Sequence, residues 1–461
     1  MSQSHIMNVL PKRLIANFWA SQETRISLSH LATPSKQKKL PLATASSFLC
    51  NELPVRYTHI LRLLSSLNTD TLQQSPLIKD VCHRYLHDIC TMLHPSLKET
   101  SPKAFSNTIQ KLRQRQASSL IKLRYALTSS STATSQSVML MDHINAIGLG
   151  IHYLLDQHLS WHQKTGNHAQ VICPVDIAHQ AVEDAKQTCI DTFGDDRLPT
   201  IHIKKNKSAH QLELTQVPSV LHRILYEATL ISLRSHFDQP PTVNGNNSKS
   251  WIPSIFKRKN NNGTSPFLQL DVFGGPTSVG YRLTNSAALT PHDLQHDIPR
   301  DMMGVPTCAS ILRQSIHQQH NNSQRYQRSA AKSNQLDEYE DVEQNEWSMW
   351  SGWRMAKTMA GHFGGHLDIV SAEGLGSTMY LALDRDDHIL ERYPSILPSR
   401  SNSHQRYASS HLSIHHANSQ LDAFLYAISD NDHHHHQNDQ AAYSSANHHH
   451  AVSLTAAVGH A

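Results

Sequence analysis

The sequence predicts an α+β protein in which a helical bundle precedes an α/β sandwich. Between about residues 46 and 160, apolar residues recur at steps of three and four in four long segments, the pattern of amphipathic helices. After residue 165 helical segments are mixed with short runs in which apolar and polar residues alternate. Consecutive amphipathic helices favour a bundle, and helices combined with mostly antiparallel strands favour a layer of helices on a sheet.

The four bundle helices are separated by proline or by clusters of serine and threonine, which are common helix boundaries. In chain order they are SFLCNELPVRYTHILRLLSSL, SPLIKDVCHRYLHDICTMLHP, KAFSNTIQKLRQRQASSLIKLRYAL and VMLMDHINAIGLGIHYLLDQHLSWH. Each offers an apolar face that only packing against other helices can bury.

The second half of the chain contains further helices and strands. The predicted helices are DIAHQAVEDAKQTCIDTF, VPSVLHRILYEATLISLRSHF and GWRMAKTMAGHF. The segment PTIHIKK is a predicted strand, FLQLDVF and SVGYRLT form a predicted hairpin around GGPT, and HLDIVS and STMYLAL form another across AEGLG. Pro218 suits the first turn of the second of these helices.

The remaining segments have a polar or biased composition. Residues 1–40 are basic and rich in serine, with an apolar pattern in NVLPKRLIANFW, which is typical of a mitochondrial presequence and also of an unstructured leader. Residues 312–346 have few aliphatic side chains and predict a long loop, within an insertion at about 292–346. The stretch 396–461 is rich in histidine and predicts a disordered tail. The two folded domains are therefore expected at 41–165 and 166–395.

Composition argues against several classes of function. The formal charge is +4, and the basic residues are scattered without interleaved aromatic side chains, so nucleic-acid binding is not expected. The six cysteines are widely spaced with no CxxC pair, which predicts reduced thiols. No uninterrupted apolar run reaches the roughly 18 to 20 residues of a membrane span, so no transmembrane segment is expected.

Two motifs resemble one protein family. The segment SSFLCNELPVRYTHILRLL resembles the opening helix of the mitochondrial kinases of 2-oxoacid dehydrogenase complexes, pyruvate dehydrogenase kinase and branched-chain 2-oxoacid dehydrogenase kinase. GWRMAKTMAGHFGGHLDIVSAEGLGSTMYLAL resembles the stretch that closes their nucleotide-binding domain. Weaker similarity in VPSVLHRILYE and IHYLLDQH extends the resemblance over roughly residues 25–395.

The resemblance implies a fold, a reaction and partners. It implies that the second domain is a histidine-kinase-type ATPase domain and that the family phosphorylates serine on a partner enzyme with Mg-ATP. It also implies that the bundle docks on a lipoyl-bearing domain of the dehydrogenase complex in the mitochondrial matrix. A homodimer, or a heterodimer with a kinase paralogue, is the expected assembly. Because a fold does not establish an activity, the site residues need separate comparison.

The catalytic helix of the family carries a Glu and, four residues later, an Asn on the same helical face. By resemblance, Glu227 is the candidate catalytic base. The Asn position, which supplies an oxygen to Mg²⁺ in the family, is Ile231, whose side chain has no oxygen to offer a hard cation. Glu227 therefore has two interpretations: a retained base, or a structural carboxylate paired with Arg223 or Arg234. The second is favoured, because a base has little purpose without the metal.

The adenine-binding and phosphate-binding motifs also depart from the family pattern. Asn285 stands where the family has an Asp that reads adenine, although its amide oxygen can still accept one hydrogen bond. Of three glycines expected in the hinge of the ATP lid, only Gly352 remains, and Trp350 occupies one of the other positions. Three tryptophans lie there, Trp347, Trp350 and Trp353. They predict either a pocket filled by these side chains, which is favoured, or a binding site for a partner.

Other positions of the motif are kept. The resemblance assigns Gly374, Gly376 and Ser377 to the nucleotide-binding region, Ser377 replacing a Thr. Gln116 stands where active members have a His thought to assist the base.

Two functions therefore remain open. The favoured one is a catalytically impaired kinase homologue, a pseudokinase, that regulates or scaffolds the dehydrogenase complex; ATP and Mg²⁺ are doubtful because of Ile231, Asn285 and Trp350. The alternative is an active protein-serine/threonine kinase in which Asp271, or the acidic run DEYEDVEQNE, supplies metal ligands. A two-component histidine kinase fits poorly, because the sequence shows no phosphoacceptor helix or receiver-like domain.

Overall fold

The computed structural model describes most of the predicted folded regions. The described residues are 11–32, 45–128, 135–163, 168–194, 198–205, 212–237, 267–295, 298, 300, 306–308, 311–312, 348–393 and 413–429. The acidic run DEYEDVEQNE and most of the predicted lid insertion lie outside them.

The helical half is a bundle of four long helices, as the periodicity predicts. These are α3 (Ser46–Leu64), α5 (Pro76–Leu93), α7 (Pro102–Thr128) and α8 (Ser135–Gln163). The chain before α3 contains α1 (Lys12–Ala20) and α2 (Leu28–Leu31), and the short helices α4 (Thr69–Gln74) and α6 (Pro95–Glu99) lie between the long ones. The proline at the first position of α5 needs no hydrogen-bond partner there, which explains its place at the helix start.

Helix α8 lies in the core of the bundle. Its segment Ser135–His162 has the length and hydropathy of a membrane-spanning helix, but 83% of the most apolar window is buried within the protein. Packing against α3, α7 and the helix after residue 352 accounts for that apolar character. We therefore interpret α8 as a core helix of the bundle.

The second half combines helices with a mixed five-stranded sheet. Helices α9 (Pro174–Phe193), α10 (Pro218–Phe237) and α11 (Trp353–Gly361) accompany strands β2 (Thr200–Lys205), β4 (Phe267–Gly274), β5 (Ser278–Asn285), β6 (His366–Ala372) and β7 (Gly376–Asp384). The sheet order is β2-β4-β5-β7-β6, with β2 and β4 parallel and the other neighbours antiparallel. Strands β1 (Gln170–Ile172) and β3 (Leu214–Gln216) form a separate antiparallel pair. The mixture of helix and sheet confirms the α+β prediction.

The sheet is covered by helices on one face. In β4, Leu268, Leu270 and Val272 are buried while Phe267 and Phe273 are exposed, so alternate residues point to opposite faces. Helices α10 and α11 contact β5, β6 and β7 on the buried side. The two predicted hairpins are confirmed by the pairing of β4 with β5 and of β6 with β7.

Helices near both ends of the chain, α1 and a helix at residues 414–428, belong to the folded body, which corrects two predictions. Helix α12 (Ile414–Ile428) lies within the stretch predicted to be a disordered tail and packs on α1. The Trp19 and Phe424 rings are 5.8 Å apart, and the Trp19 indole donates a hydrogen bond of 3.2 Å to Gln420. Because Ile15, Ala16 and Trp19 are fully buried, α1 packs into the folded body and is not part of an unstructured leader. Apolar side chains spaced at three and four residues in α12 outweigh its histidine-rich surroundings.

A buried ionic cluster ties the bundle to the C-terminal part of the sheet domain. The Arg56 guanidinium is completely buried and donates to both carboxylate oxygens of Glu391, at 3.1 and 2.9 Å. It also donates to Glu52 at 2.9 Å and to the carbonyl oxygen of Thr24 at 2.8 Å. On α8, a side chain at Gly150 would collide with Arg56, which explains the glycine there. The cluster therefore joins four segments of the chain.

This cluster predicts acid sensitivity. Burial alone raises the pKa of Glu391, but Arg56 and His362 outweigh it and lower the pKa from 4.5 to about 2. A carboxylate with a depressed pKa contributes stability above its unfolded-state pKa and loses it as the pH falls through the folded value. We expect a loss of about 3 kcal/mol in the free energy of unfolding between about pH 4.5 and pH 2 from this group. Urea unfolding across that range should show a shallower pH dependence for Glu391→Gln, whereas Glu373→Gln, in an exposed turn, should follow the wild type.

Candidate functional site

Helix α10 carries the residues that the resemblance assigns to catalysis. Glu227 and Ile231 are four residues apart and face the same cavity of about 530 Å³. Gly352, at the start of α11, also lines this cavity. The structure therefore brings Glu227, Ile231 and Gly352 together.

Both oxygens of the Glu227 carboxylate are bound by protein groups. Arg223, one turn earlier on α10, lies 2.6 Å from Oε1, and the backbone N–H of Gly352 donates to Oε2 at 2.8 Å. The Glu227 side chain is 5% exposed. Burial lowers the pKa of Arg223, and Glu227 opposes that shift. This geometry matches the structural interpretation of Glu227, with Arg223 as the partner.

The segment 348–351, predicted to be the hinge of an ATP lid, is held by the helical bundle. Arg124 on α7 is buried and donates to the carbonyl oxygens of Met349 at 2.7 Å and Ser351 at 3.1 Å. The Trp350 ring packs edge-on against His152 of α8, with centroids 4.6 Å apart. Burial lowers the pKa of His152 well below its ordinary value, which keeps this imidazole neutral. Trp350 therefore packs on the bundle, and Trp347 lies outside the described residues.

Gly352 is the hinge position where glycine is structurally required. Its φ of +95° is in the left-handed region, which side chains disfavour. This conformation places its N–H toward Glu227 at the N-terminus of α11. The retained glycine is therefore explained by the Glu227 contact.

A second group of candidate residues lies where β5 meets β7. The amide of Asn285 donates to the carbonyl oxygen of Ser232 and to Ser235 Oγ, both at 3.0 Å, and its oxygen accepts from the N–H of Ala287 at 3.0 Å. Ser377, paired with Asn285 in the sheet register, donates to the carbonyl oxygen of Ala287 at 2.9 Å. Neither side chain lines the 530 Å³ cavity. Asn285 therefore joins the end of β5 to α10, and Ser377 joins β7 to the segment after β5.

The retained glycines Gly374 and Gly376 serve the β6–β7 turn. Both have positive φ, +75° and +92°. A side chain at Gly376 would collide with the carbonyl oxygen of Asn285, while the space around Gly374 is open. Turn geometry accounts for Gly374, and the positive φ together with the close approach of the Asn285 backbone accounts for Gly376.

The cavity also has basic lining residues that sequence reasoning did not assign to it. Arg234 and Arg300 contribute guanidinium groups to the lining. Thr188 and Tyr226 also line the cavity, and their hydroxyl oxygens are 3.0 Å apart. Arg300 and Thr188 lie far from α10 in the sequence, and no local motif marks them. The periodicity of α10 does place Arg234 one turn after Ile231.

Gln116, the position of the assisting His in the resemblance, is buried between α7 and α8. Its side chain is 1% exposed, and a Cβ at Gly148 would lie 3.2 Å from its Nε2. Within the described residues its amide makes no hydrogen bond. Gln116 therefore faces α8, and within the described residues it makes no hydrogen bond to Glu227.

Comparison with known proteins points to one family. The profile of the mitochondrial branched-chain alpha-ketoacid dehydrogenase kinase family matches residues 25–184. A mitochondrial [pyruvate dehydrogenase (acetyl-transferring)] kinase from Arabidopsis thaliana is 25% identical over 254 residues, which cover 51% of this chain and 67% of that kinase. Over these regions the chain is similar to the mitochondrial 2-oxoacid dehydrogenase kinases.

The family profile supports only one part of the chain. The profile of the dehydrogenase kinase family covers the bundle and about the first half of α9. It ends before Glu227, so the assignment of roles to α10, Gly352 and the β6–β7 turn stays a prediction from the motifs.

The residues of the cavity do not fit the magnesium site of a dehydrogenase kinase. Ile231 presents only carbon at the position of the predicted oxygen ligand, and Mg²⁺ requires a nearly complete octahedral oxygen shell. Within the part of the chain that the structure describes, no cluster of three or more His, Cys, Asp or Glu side chains could hold a metal ion. Asp271 is paired with Arg282 across the β4–β5 hairpin, at 2.9 Å from its Nε, and does not line the cavity. Asp271 is therefore not positioned as a ligand for this cavity.

We expect Ile231→Asn alone to leave phosphate transfer undetectable. The new amide oxygen would supply one ligand, but Glu227 would remain bound to Arg223 and the 348–351 segment would remain held by Arg124. Transfer of radiolabelled phosphate from Mg-ATP to dehydrogenase complexes measures this directly. Substantial turnover by this single variant would show that the missing ligand was the main defect.

Proposed function

We propose that this protein is a catalytically impaired dehydrogenase kinase homologue that regulates or scaffolds a 2-oxoacid dehydrogenase complex. The observation that carries the proposal is the engagement of Glu227 by both Arg223 and the Gly352 N–H, beside an Ile at the predicted metal-ligand position. Phosphoryl transfer needs a metal on the phosphates and a polar group free to orient the nucleophile. A carboxylate in a buried ion pair is poorly suited to accept a proton from a serine hydroxyl, because protonation would leave Arg223 without its counter-charge.

The proposed domain arrangement follows the dehydrogenase kinases. Residues 41–165 would form the bundle domain and residues 166–395 a histidine-kinase-type ATPase domain. A mixed sheet with α10 and α11 on its inner side, and α9 packed on α10, supports this layout. The proposed nucleotide site would lie between α10 and the N-terminus of α11, where Gly352 remains.

The matched proteins are mitochondrial, and a mitochondrial location follows for this chain. We place it in the matrix, with the bundle docking on a lipoyl domain of the pyruvate or branched-chain complex. A homodimer, or a heterodimer with an active paralogue, would let the protein act on the complex without transferring phosphate itself.

The test separates docking from catalysis. Full-length protein is incubated with purified pyruvate and branched-chain 2-oxoacid dehydrogenase complexes, and both co-sedimentation and phosphate incorporation are measured. The proposal predicts saturable association with one complex and no phosphate incorporation above a blank without the protein. Absence of association with either complex would contradict the partner assignment.

The alternative is an active serine kinase with an altered nucleotide site. The cavity beside Glu227 and the retained Gly352 favour it, because a pocket large enough for a ligand persists. Phosphate incorporation that depends on the protein and on Mg-ATP would establish this alternative and exclude the impaired-kinase proposal.

A further inference from the structure

A second cavity, of about 580 Å³, is lined by α11. It is enclosed by α8, by α11, by the 3₁₀ turn Pro291–Leu294 and by residues 392–393 after the sheet. Its lining contains none of the residues that the resemblance assigns to nucleotide or catalysis. The cavity is therefore separate from the candidate kinase site.

One face of α11 supplies the cavity with cationic groups. Arg354, Lys357 and Gly361 follow one another at steps of three and four, so they share a helical face, while Met355 and Met359 are buried in the core. Arg392 adds a third cation from the C-terminal segment. We call Arg354, Lys357 and Arg392 the basic rim.

The basic rim carries more charge than the neighbouring carboxylates offset. Among the described lining residues, Asp142 is the carboxylate, and it lies 3.1 Å from Arg354. Lys357 lies 3.8 Å from Asp368, but both side chains are about half exposed, so this pair is weak. Glu391, next to Arg392, is already bound to Arg56. Three cations against one lining carboxylate leave an excess of positive charge at the opening.

Aromatic side chains form part of the walls. Trp353 and Tyr393 both line the cavity, and burial raises the pKa of the Tyr393 phenol well above its ordinary value, so it stays neutral. A volume of 580 Å³ is far larger than an inorganic anion needs and is within the range of sites for small organic ligands. Arginine forks and a lysine suit phosphate oxygens, and flat aromatic walls suit an apolar body.

We propose that this cavity between α8 and α11 binds a small organic phosphate, with the basic rim on the phosphate and Trp353 and Tyr393 against the apolar body. Because Gly352, the residue just before α11, donates to Glu227, an occupant would contact the same helix that borders the candidate kinase site. The proposal does not depend on whether the protein transfers phosphate.

The test uses phenyl phosphate as the probe and the full chain in calorimetric titration. Lys357→Glu reverses a charge of the basic rim on an exposed helix position. Gly361→Leu narrows the cavity without changing charge, since a Cβ at Gly361 meets no atom within 4 Å. Two charge-matched controls are Arg234→Glu in the 530 Å³ cavity and Lys186→Glu on the surface of α9. Thermal melting confirms that each variant is folded.

We expect phenyl phosphate to bind the wild type at least tenfold more tightly than inorganic phosphate, and more weakly as salt is raised. Lys357→Glu and Gly361→Leu should each raise the Kd at least tenfold, while both controls should stay within twofold. Three results would each overturn the proposal: no saturable binding to the wild type, unchanged binding in folded Gly361→Leu, or loss of binding in Arg234→Glu instead.

Discussion

Replacing Arg56 with alanine is expected to lower the free energy of unfolding by about 3–5 kcal/mol. The substitution leaves Glu52 and Glu391 buried together without their cation, since Arg56 contacts both carboxylates. It also removes the hydrogen bond to the carbonyl oxygen of Thr24, which fastens the N-terminal segment to α3. Urea unfolding monitored by circular dichroism at neutral pH measures the change.

Arg282→Ala is the matched control for this prediction. Arg282 also pairs with a carboxylate, Asp271, but its side chain is 48% exposed. Exposed ion pairs contribute about 1 kcal/mol or less, because water screens them and the side chains lose entropy when they pair. Equal effects of the two substitutions would show that the Arg56 cluster does not hold the bundle to the C-terminal segment.

The second large effect is expected at Glu227. Glu227→Gln should lower the free energy of unfolding by about 2–4 kcal/mol, because Arg223 then remains buried without a counter-charge. The glutamine oxygen can still accept the Gly352 N–H, so the start of α11 should keep its position. The rate of any residual phosphate transfer should change little, while the free energy of unfolding falls. Chemical unfolding and a phosphate-transfer assay on the same preparation compare the two effects.

A double-mutant cycle provides the control for Glu227. Arg223→Gln combined with Glu227→Gln removes both charges, and the double variant should recover part of the stability that Glu227→Gln loses. A large loss of phosphate transfer in Glu227→Gln with unchanged unfolding would instead identify this carboxylate as a working base.

Local periodicity was sufficient to predict the main elements. The four bundle helices and both hairpins follow from repeats of three to four or of two residues, and those repeats arise from which faces are buried. Even Pro54 lies within α3, because almost every neighbouring side chain in that helix is buried in the bundle. The pairing of Glu227 with Arg223 was also predictable, since residues four apart on a helix are neighbours.

Long-range contacts explain what the sequence did not predict. The basic, apolar pattern around Trp19 is the same in a presequence and in a core helix, and only its packing on α12 distinguishes the two. Helix α12 was not predicted, because histidine-rich stretches surround it and dominate the composition of residues 396–461. Arg124 binds the segment 348–351 from a position more than 220 residues away in the sequence, so nothing local to either segment indicates the contact.

The most direct test of the impaired-kinase account is calorimetric titration of ATP into the full chain, with and without Mg²⁺. The full chain is needed because residues 12–20 and α12 pack together in the folded body. The account predicts no magnesium-dependent binding, because Ile231 offers no oxygen and Arg223 holds Glu227. Saturable, magnesium-dependent binding with a micromolar Kd would contradict it and would establish a working nucleotide site.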